Sequence, residues 1–271
     1  MRQKSKYFRF PLLIIILGMI CILSSAGVKA LELDNGLVLH YHFNNQASFG
    51  ENSLFINDFS SRSNDALTLS NGARWNSLGG LVRDGAFDFD GYNDYIEVSD
   101  SNSLSPSTTN KYTIAFWVKF NRTKFIGEGN NKDYINILGK GDDGEHEFVF
   151  RYYNSSNIEG RNNRISFYMF NPQGGLGAGS YVQENIQPGE WMFLVGIYNG
   201  THVQLWKNGV LKDTDPLSGY DIVSRNGDAP LTIGTVGSNK YFRGSFDELR
   251  IYNRVLTRSE ILSLYNLRNF N

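Results

Sequence analysis

The chain has 271 residues and nearly balances 26 Lys and Arg residues against 27 Asp and Glu residues. Five of the basic residues lie in the first 29 positions, so residues 31–271 carry 21 basic and 27 acidic side chains and a net charge of −6. An acidic domain without a basic stripe lacks the attraction that nucleic-acid binding requires, which excludes that class of partner. The one cysteine, Cys21, also lies in this first segment, so the rest of the chain has no disulfide, no cysteine metal site and no thiol nucleophile.

The first thirty residues have the pattern of an export signal. Residues 1–10 contain four basic side chains and no acid, residues 12–23 are an apolar run, and Val28-Lys29-Ala30 ends the segment. The pattern predicts a signal peptide over residues 1–30 and one domain over residues 31–271. An uncleaved anchor through residues 10–28 is the alternative, because no charge lies between Arg9 and Lys29. Both alternatives make the domain extracytoplasmic, either secreted or attached to the membrane, since the basic residues stay on the cytoplasmic side.

After this segment, short apolar stretches alternate with turns rich in Gly, Asn, Asp and Ser, which is typical of an all-β sandwich. The clearest strand is 112–120, where Ile114, Phe116, Val118 and Phe120 share one face at the two-residue period of a strand. The same pattern predicts further strands at 36–43, 86–89, 95–98, 134–138, 147–153, 164–170, 191–198, 201–207, 231–233 and 242–252.

Two dipeptides predict tight hairpins. Asn199-Gly200 and Asn208-Gly209 are residue pairs that accept positive φ at both central positions of a two-residue turn. They flank residues 201–207 and predict a three-stranded meander from Trp191 to Leu211.

One helix is predicted, at residues 258–265 near the end of the chain. Thr257 and Glu260 have the spacing of a capping box, and Leu256 and Ile261 have the spacing of a hydrophobic staple. The glycine-rich residues 171–180 predict a loop, which is either a mobile connection or a segment that contacts a ligand.

Five segments, in order along the chain, resemble the laminin-G-like jelly-roll domains of the concanavalin A-like lectin/glucanase superfamily. They are residues 37–44, residues 57–66, the Phe-Asp-Gly-x-x-Asp-Tyr pattern within residues 86–98, residues 113–119 and residues 246–257. The resemblance implies two curved antiparallel sheets in an all-β jelly-roll sandwich with one short C-terminal helix. It does not imply a chemistry, because lectins, adhesion modules and glycoside hydrolases share this fold.

The sequence contains none of the catalytic patterns that sandwich enzymes use. Glycosidases need two carboxylates held apart across a cleft, and the related hydrolases carry Glu-x-Asp-x-(x)-Glu on one strand, which is missing here. The nearest pattern is Glu145-His146-Glu147, for which a solvated strand end is the alternative interpretation. We therefore predict that the protein is not an enzyme.

A structural calcium ion is the cofactor that the resemblance implies. Several related domains link their first and last strands through such an ion, and Asp247 lies in the closing strand where those relatives place a ligand. Asp58, in the early loop, and Asp90, before Gly91, complete the predicted ligand set, since calcium binds carboxylate and carbonyl oxygens. The alternative is that Asp90 and Asp94 accept hydrogen bonds from nearby turn amides, and that Asp247 does similarly.

Two further groups of side chains can bind ligands. His40 and His42 share a strand face and could hold zinc, although packing is the alternative that the family's first strand favours. Sugars stack on exposed aromatic rings, for which the candidates are Trp75, Tyr152, Tyr153, Tyr168 and Trp206. Packing in the core is the favoured alternative, because such residues fill the cores of sandwiches. The resulting hypothesis is a non-catalytic binding or adhesion module for a glycan or an extracellular protein. A structural envelope protein that binds only calcium, and a divergent polysaccharide-acting enzyme, are the alternatives.

Overall fold

The computed structural model describes residues 33–52, 54–69, 72–82, 85–124, 134–142, 145–170, 177–219, 226–237 and 240–270. The chain divides into two units, residues 1–35 and residues 36–271. The predicted export segment and residues 171–176 of the glycine-rich stretch lie outside the described residues.

The described residues of the second unit form sixteen strands and one α-helix. The strands are β1 (Leu37–Tyr41), β2 (Phe55–Ile56), β3 (Ala66–Leu69), β4 (Arg74–Asn76), β5 (Ala86–Asp90), β6 (Tyr95–Val98), β7 (Tyr112–Phe120), β8 (Tyr134–Lys140), β9 (Phe148–Tyr153), β10 (Arg164–Met169), β11 (Ala178–Gln183), β12 (Trp191–Tyr198), β13 (His202–Lys207), β14 (Val210–Pro216), β15 (Leu231–Ile233) and β16 (Arg243–Tyr252). The helix, α1, spans Arg258–Asn266 and continues as a 3-10 turn over Leu267–Phe270.

The strands form two antiparallel sheets of eight strands each. Sheet I has the order β14-β13-β12-β7-β16-β5-β4, and β1 pairs with β16 beside this path. Sheet II has the order β11-β10-β9-β8-β15-β6-β3-β2. Both the two-sheet sandwich and the single short helix that the resemblance implied are confirmed.

The core lies between the sheets and is rich in aromatic rings. The β7 side chains that were predicted to share one face, Ile114, Phe116, Val118 and Phe120, are all buried in it. Across the sheets, the ring centroid of Phe116 lies 4.9 Å from that of Phe150. Burial of such large apolar surfaces is the main stabilising term in a domain without disulfides.

The opposite face of β7 is buried as well, because helix α1 covers it. The ring of Tyr265 stacks on Trp117 at 5.5 Å between centroids, and Phe193 lies 5.1 Å from the same indole. The helix begins as predicted: the Thr257 hydroxyl accepts from the Glu260 amide, and the Glu260 carboxylate accepts from the Thr257 amide.

The meander β12-β13-β14 is confirmed, and it extends to Pro216 rather than Leu211. The turn at Asn208-Gly209 has positive φ at both residues, as predicted. The prediction for Asn199-Gly200 is wrong: the connection contains three residues, 199–201, and only Gly200 has positive φ. Asn199 instead uses its side-chain oxygen to accept from the amides of Thr201 and His202.

Four strands were not predicted, namely β2, β3, β4 and β11. Residues 178–180 belong to β11, so the predicted loop over 171–180 is wrong for this part of it. The side chains of Ala178, Ser180 and Val182 alternate inward along β11, but the glycines around them hide the pattern.

Candidate functional site

A polar cleft opens over β4, β5 and the start of β16. It has a volume of about 660 Å³, within the range of small-molecule sites. We call it the polar cleft, and its lining residues are Arg74, Trp75, Asn76, Ser77, Asp88, Phe89, Asp90, Asp94, Asn121 and Arg243.

The strand register brings the polar cleft's side chains together. Asp88 pairs with Arg74 on β4 and with Ser245 on β16, and Asp90 pairs with Arg243. Because side chains at alternate positions of a strand point to the same face, Asp88 and Asp90 lie on one surface of sheet I together with these neighbours.

A tight turn closes one end of the polar cleft. The Asp90 carboxylate accepts from the Tyr92 amide at 2.8 Å, and the Asp94 carboxylate accepts from the Asp90 amide at 2.8 Å. Gly91 has a φ of 81°, and a β-carbon there would lie 2.7 Å from Cβ of Arg243. The Asp-Gly pair of the family pattern is therefore required both by the turn and by the close approach of β16.

The carboxylates of the polar cleft are engaged by neighbouring donors. Asp88 accepts from the Ser245 hydroxyl and from the Asn76 amide group. Burial raises the pKa of Asp94, and the Asp90 amide opposes this shift. Asp88 and Asp94 therefore serve mainly to hold the strands and the turn that form the cleft.

The two arginines, in contrast, are exposed and available. In the described part of the chain, the guanidinium groups of Arg74 and Arg243 make neither a hydrogen bond nor a close ion pair, although the positive charge of Arg74 helps to lower the pKa of Asp94 against the effect of burial. Guanidinium groups present five donors in a planar fork, so this pair can bind the hydroxyl or carboxylate oxygens of a ligand. Neither arginine could be recognised from the sequence. Strand β4 is too short for its alternation to show, and Arg243 begins a strand whose predicted role was to form the packed sandwich.

The three predicted calcium ligands lie at three different places. Asp90 pairs with Arg243, at one end of β16, whereas Asp58 accepts from the amide of His40, which pairs with Arg250 near the other end. Seven strand residues separate the two positions, which is roughly 20 Å at the usual rise. Asp58 and Asp90 therefore cannot share one ion.

Asp58 has no oxygen left for a cation. One carboxylate oxygen accepts from the amides of His40 and Ser60, and the other accepts from the Ser60 hydroxyl and the Asn64 amide. Four donors use the acceptor sites that a carboxylate offers. The Asp58 side chain therefore links the early loop to β1 through hydrogen bonds.

Asp247 is fully buried under residues 81–82. One carboxylate oxygen accepts from the amides of Leu81 and Val82, each at 2.9 Å. Burial and the neighbouring charge of Glu248 raise the pKa of Asp247 to about 8. The three aspartates thus do not fit a shared calcium ion, and calcium binding by the chain stays a prediction.

The predicted aromatic candidates also lie at different places in the fold. Trp75 is half-buried, lines the polar cleft and donates its ring N–H to the carbonyl of Phe43 at 2.9 Å. Tyr152 lies in the core and Tyr153 is buried beside Tyr168, whose hydroxyl is 3.3 Å from its own. Trp206 is 9% exposed. Trp75 is therefore one of the residues that line the polar cleft, and it also packs against the hydrophobic core.

Glu147 is not at a solvated strand end. It is buried and receives a hydrogen bond from Nζ of Lys140 at 2.7 Å and one from the amide of Gly227 at 3.0 Å. Glu145 is exposed, so the two carboxylates differ in environment. The buried ion pair with Lys140 therefore explains why Glu147 lies inside the fold.

A laminin G family model, described as concanavalin A-like lectin/glucanases superfamily, matches residues 90–262. The chain belongs to this superfamily. No protein of curated function matches the sequence. Within the described residues, none of the helices of this laminin G-type chain combines the length and apolar character that crossing a membrane needs.

Solved structures of low sequence identity share the fold. Domain 4 of AbnA, a GH43 extracellular arabinanase from Geobacillus stearothermophilus, in complex with arabinotriose, is 19% identical with a TM-score of 0.61, covering 84% of this chain and 98% of that domain. The botulinum neurotoxin serotype D ligand binding domain with N-acetylneuraminic acid is 14% identical, with a TM-score of 0.64 and coverage of 88% and 52%. The botulinum neurotoxin DC binding domain with rat synaptotagmin II is 13% identical, with a TM-score of 0.63 and coverage of 87% and 52%. The chain thus spans about half the length of each toxin domain.

Proposed function

We propose that this laminin G-type chain is an exported, non-catalytic glycan-binding module and that the polar cleft binds an oligosaccharide. Export rests on the sequence pattern of residues 1–30, and N-terminal sequencing of the purified protein distinguishes cleavage after Ala30 from an uncleaved anchor.

The observation that carries the proposal is the pair of exposed guanidinium groups in a cleft of about 660 Å³. Sugar hydroxyls need several donors and acceptors in a fixed arrangement beside an apolar surface. Arg74 and Arg243 supply the donors and Asn121 supplies an amide group, and Trp75, which packs against the hydrophobic core, also lines the cleft.

The state of the carboxylates favours binding over hydrolysis. A glycosidase needs one carboxyl group as an acid and a second as a nucleophile or base. In the polar cleft, Asp88 and Asp94 each accept hydrogen bonds from the protein's own donors. Their arrangement supports a framework role and motivates our proposal that the chain has no hydrolytic activity.

The comparisons support a sugar ligand in general terms. The AbnA domain was solved with arabinotriose and the serotype D toxin domain with N-acetylneuraminic acid. One is a neutral oligosaccharide and the other an acidic sugar, and both present oxygen acceptors that a guanidinium group can bind.

The test is a glycan-array screen of the purified protein, with arabinotriose and N-acetylneuraminic acid included as probes. The Kd of the best ligand is then measured for Arg74→Gln and Arg243→Gln. Each substitution is expected to weaken binding roughly tenfold or more, because a hydrogen bond from a charged donor contributes about 1.5–3 kcal/mol. Arg62→Gln is the matched charge control, because Arg62 is exposed and donates to the Ser60 hydroxyl through its backbone amide.

Several outcomes would contradict the proposal. If no glycan on the array binds, a protein partner or a structural envelope role is favoured instead. Equal binding by Arg243→Gln, Arg74→Gln and the parent protein would move the ligand away from the polar cleft. Repeating the screen with chelator checks the predicted calcium dependence, and the release of reducing sugar from a bound polysaccharide would show an enzyme.

A further inference from the structure

His40, His42 and Glu248 form a compact group of potential metal ligands outside the polar cleft. One ligand atom from each residue can be chosen such that all three lie within 4.8 Å of one another. Nε2 of His40 is already 3.1 Å from a carboxylate oxygen of Glu248, and the two imidazole ring centroids are 4.1 Å apart.

The fold builds this group by pairing the first strand with the last. On β1, His40 pairs with Arg250 of β16, and His42 follows the end of the same strand. The register of β16 against β7 shifts between Asp247 and Arg250, and Glu248 has a φ of 50°. A bulge of this kind re-aims a side chain, here the carboxylate of Glu248 towards the histidines.

The surroundings hold the three side chains in place. Phe59 stacks on the ring of His42 with 4.1 Å between centroids, and Phe49 packs against Phe59 at 5.0 Å. Nη2 of Arg250 donates to Glu248 at 2.9 Å, which fixes the carboxylate as outer hydrogen bonds do around bound metals. His40 and Glu248 are buried, whereas His42 is half-buried.

We propose that His40, His42 and Glu248 bind a first-row divalent cation of the Zn²⁺ class. Two imidazoles and one carboxylate match the nitrogen and oxygen ligands of such ions, with a water in the fourth position. Tetrahedral bonds of about 2.0–2.2 Å would bring the ligand atoms to roughly 3.4 Å from each other, which small side-chain rotations achieve.

The ligand set discriminates among metals. Calcium and magnesium take oxygen ligands, so imidazoles make this a poor site for either. The nearby positive charge of Arg250 opposes any cation, so a bound ion must gain enough from its bonds to the two imidazoles and the carboxylate to outweigh this repulsion. The site is therefore distinct from the calcium site that the sequence predicted.

The test is a titration of the full-length, metal-stripped protein with Co²⁺, followed by displacement with Zn²⁺. We expect one ion per chain, with the visible absorption band of tetrahedral Co²⁺, and a Tm that rises with Zn²⁺ because the ion binds the folded state. His42→Gln is the main variant, since its side chain is half-buried, and it is expected to lose both signals.

His202→Gln is the matched control, because His202 lies on β13 and contacts the hydroxyl of Thr201. It should keep the Co²⁺ band and the Zn²⁺-dependent rise in Tm. The proposal is overturned if the parent protein shows neither signal, or if His42→Gln and His202→Gln both retain them.

Discussion

At the scale of single residues, Gly196 on β12 sets how closely the two sheets approach. A β-carbon at this position would lie 2.6 Å from Cζ of Phe150 and 2.6 Å from Cγ of Phe167, both on sheet II. Neither ring has room to retreat in a close-packed core.

We expect Gly196→Ala to lower the free energy of unfolding by about 1–3 kcal/mol, the usual cost of overpacking a core. Urea denaturation followed by tryptophan fluorescence measures it. Phe150→Leu removes Cζ of Phe150, one of the two atoms nearest the added methyl, so the double variant should lose less stability than the two single variants added together. Strict additivity would show that this contact is not the cause.

The aspartates show which side-chain hydrogen bonds can be predicted from the sequence and which cannot. Asp90 and Asp94 accept from amides two and four residues away, and turn chemistry of this range can be predicted from the sequence. Asp247 accepts from amides that lie about 165 residues away in the chain, and no local pattern contains that information.

At the scale of elements, helix α1 depends on its capping box. The Thr257 hydroxyl accepts from the Glu260 amide at 3.3 Å, and Arg254 also binds the Glu260 carboxylate. We expect Thr257→Ala to cost about 1 kcal/mol of stability, as loss of an N-cap generally does. Urea denaturation checks this, with Ser263→Ala, which has no capping role, as the control. Equal stability of the two variants would contradict the prediction.

The same helix predicts a pH dependence. Burial alone would raise the pKa of Glu260, but hydrogen bonds from Arg254 and Thr257 outweigh it and hold the pKa below its ordinary value of 4.5. A depressed carboxyl pKa stabilises the fold above the unfolded value, and this contribution disappears as the pH falls through the folded pKa. Glu260→Gln should therefore be less stable than the parent at pH 7, and the difference should shrink below pH 4.5. Denaturation at a series of pH values measures it, and a difference that stays constant with pH would refute the assignment.

Two of the strands that the sequence did not reveal, β2 and β4, share a physical cause. Strands β2 and β4 have two and three residues, too few for a period of two to show. The clear segments, such as β7, could be predicted because a long alternation of large apolar residues admits few other structures.

At the scale of the whole molecule, the jelly roll could be predicted, because ordered family segments extend over the chain. The complete residue sets of the two candidate sites could not be predicted from the sequence. His40 and Glu248 are 208 residues apart, and Arg74 reaches the polar cleft only because β4 pairs with β5. Sheet order determines these contacts, and sheet order is not encoded in the periodicity of any one strand.

The central position of β16 also affects how the protein is made. This strand bonds to β1, β5 and β7, yet it lies near the end of the chain. A ribosome adding about 5–20 residues per second needs on the order of ten to forty seconds to travel from β1 to β16. During that interval the apolar faces of β5 and β7 lack the strand that joins them in sheet I. A nascent chain is therefore exposed to misassembly until β16 emerges, and a product terminated before Arg243 cannot complete the sheet.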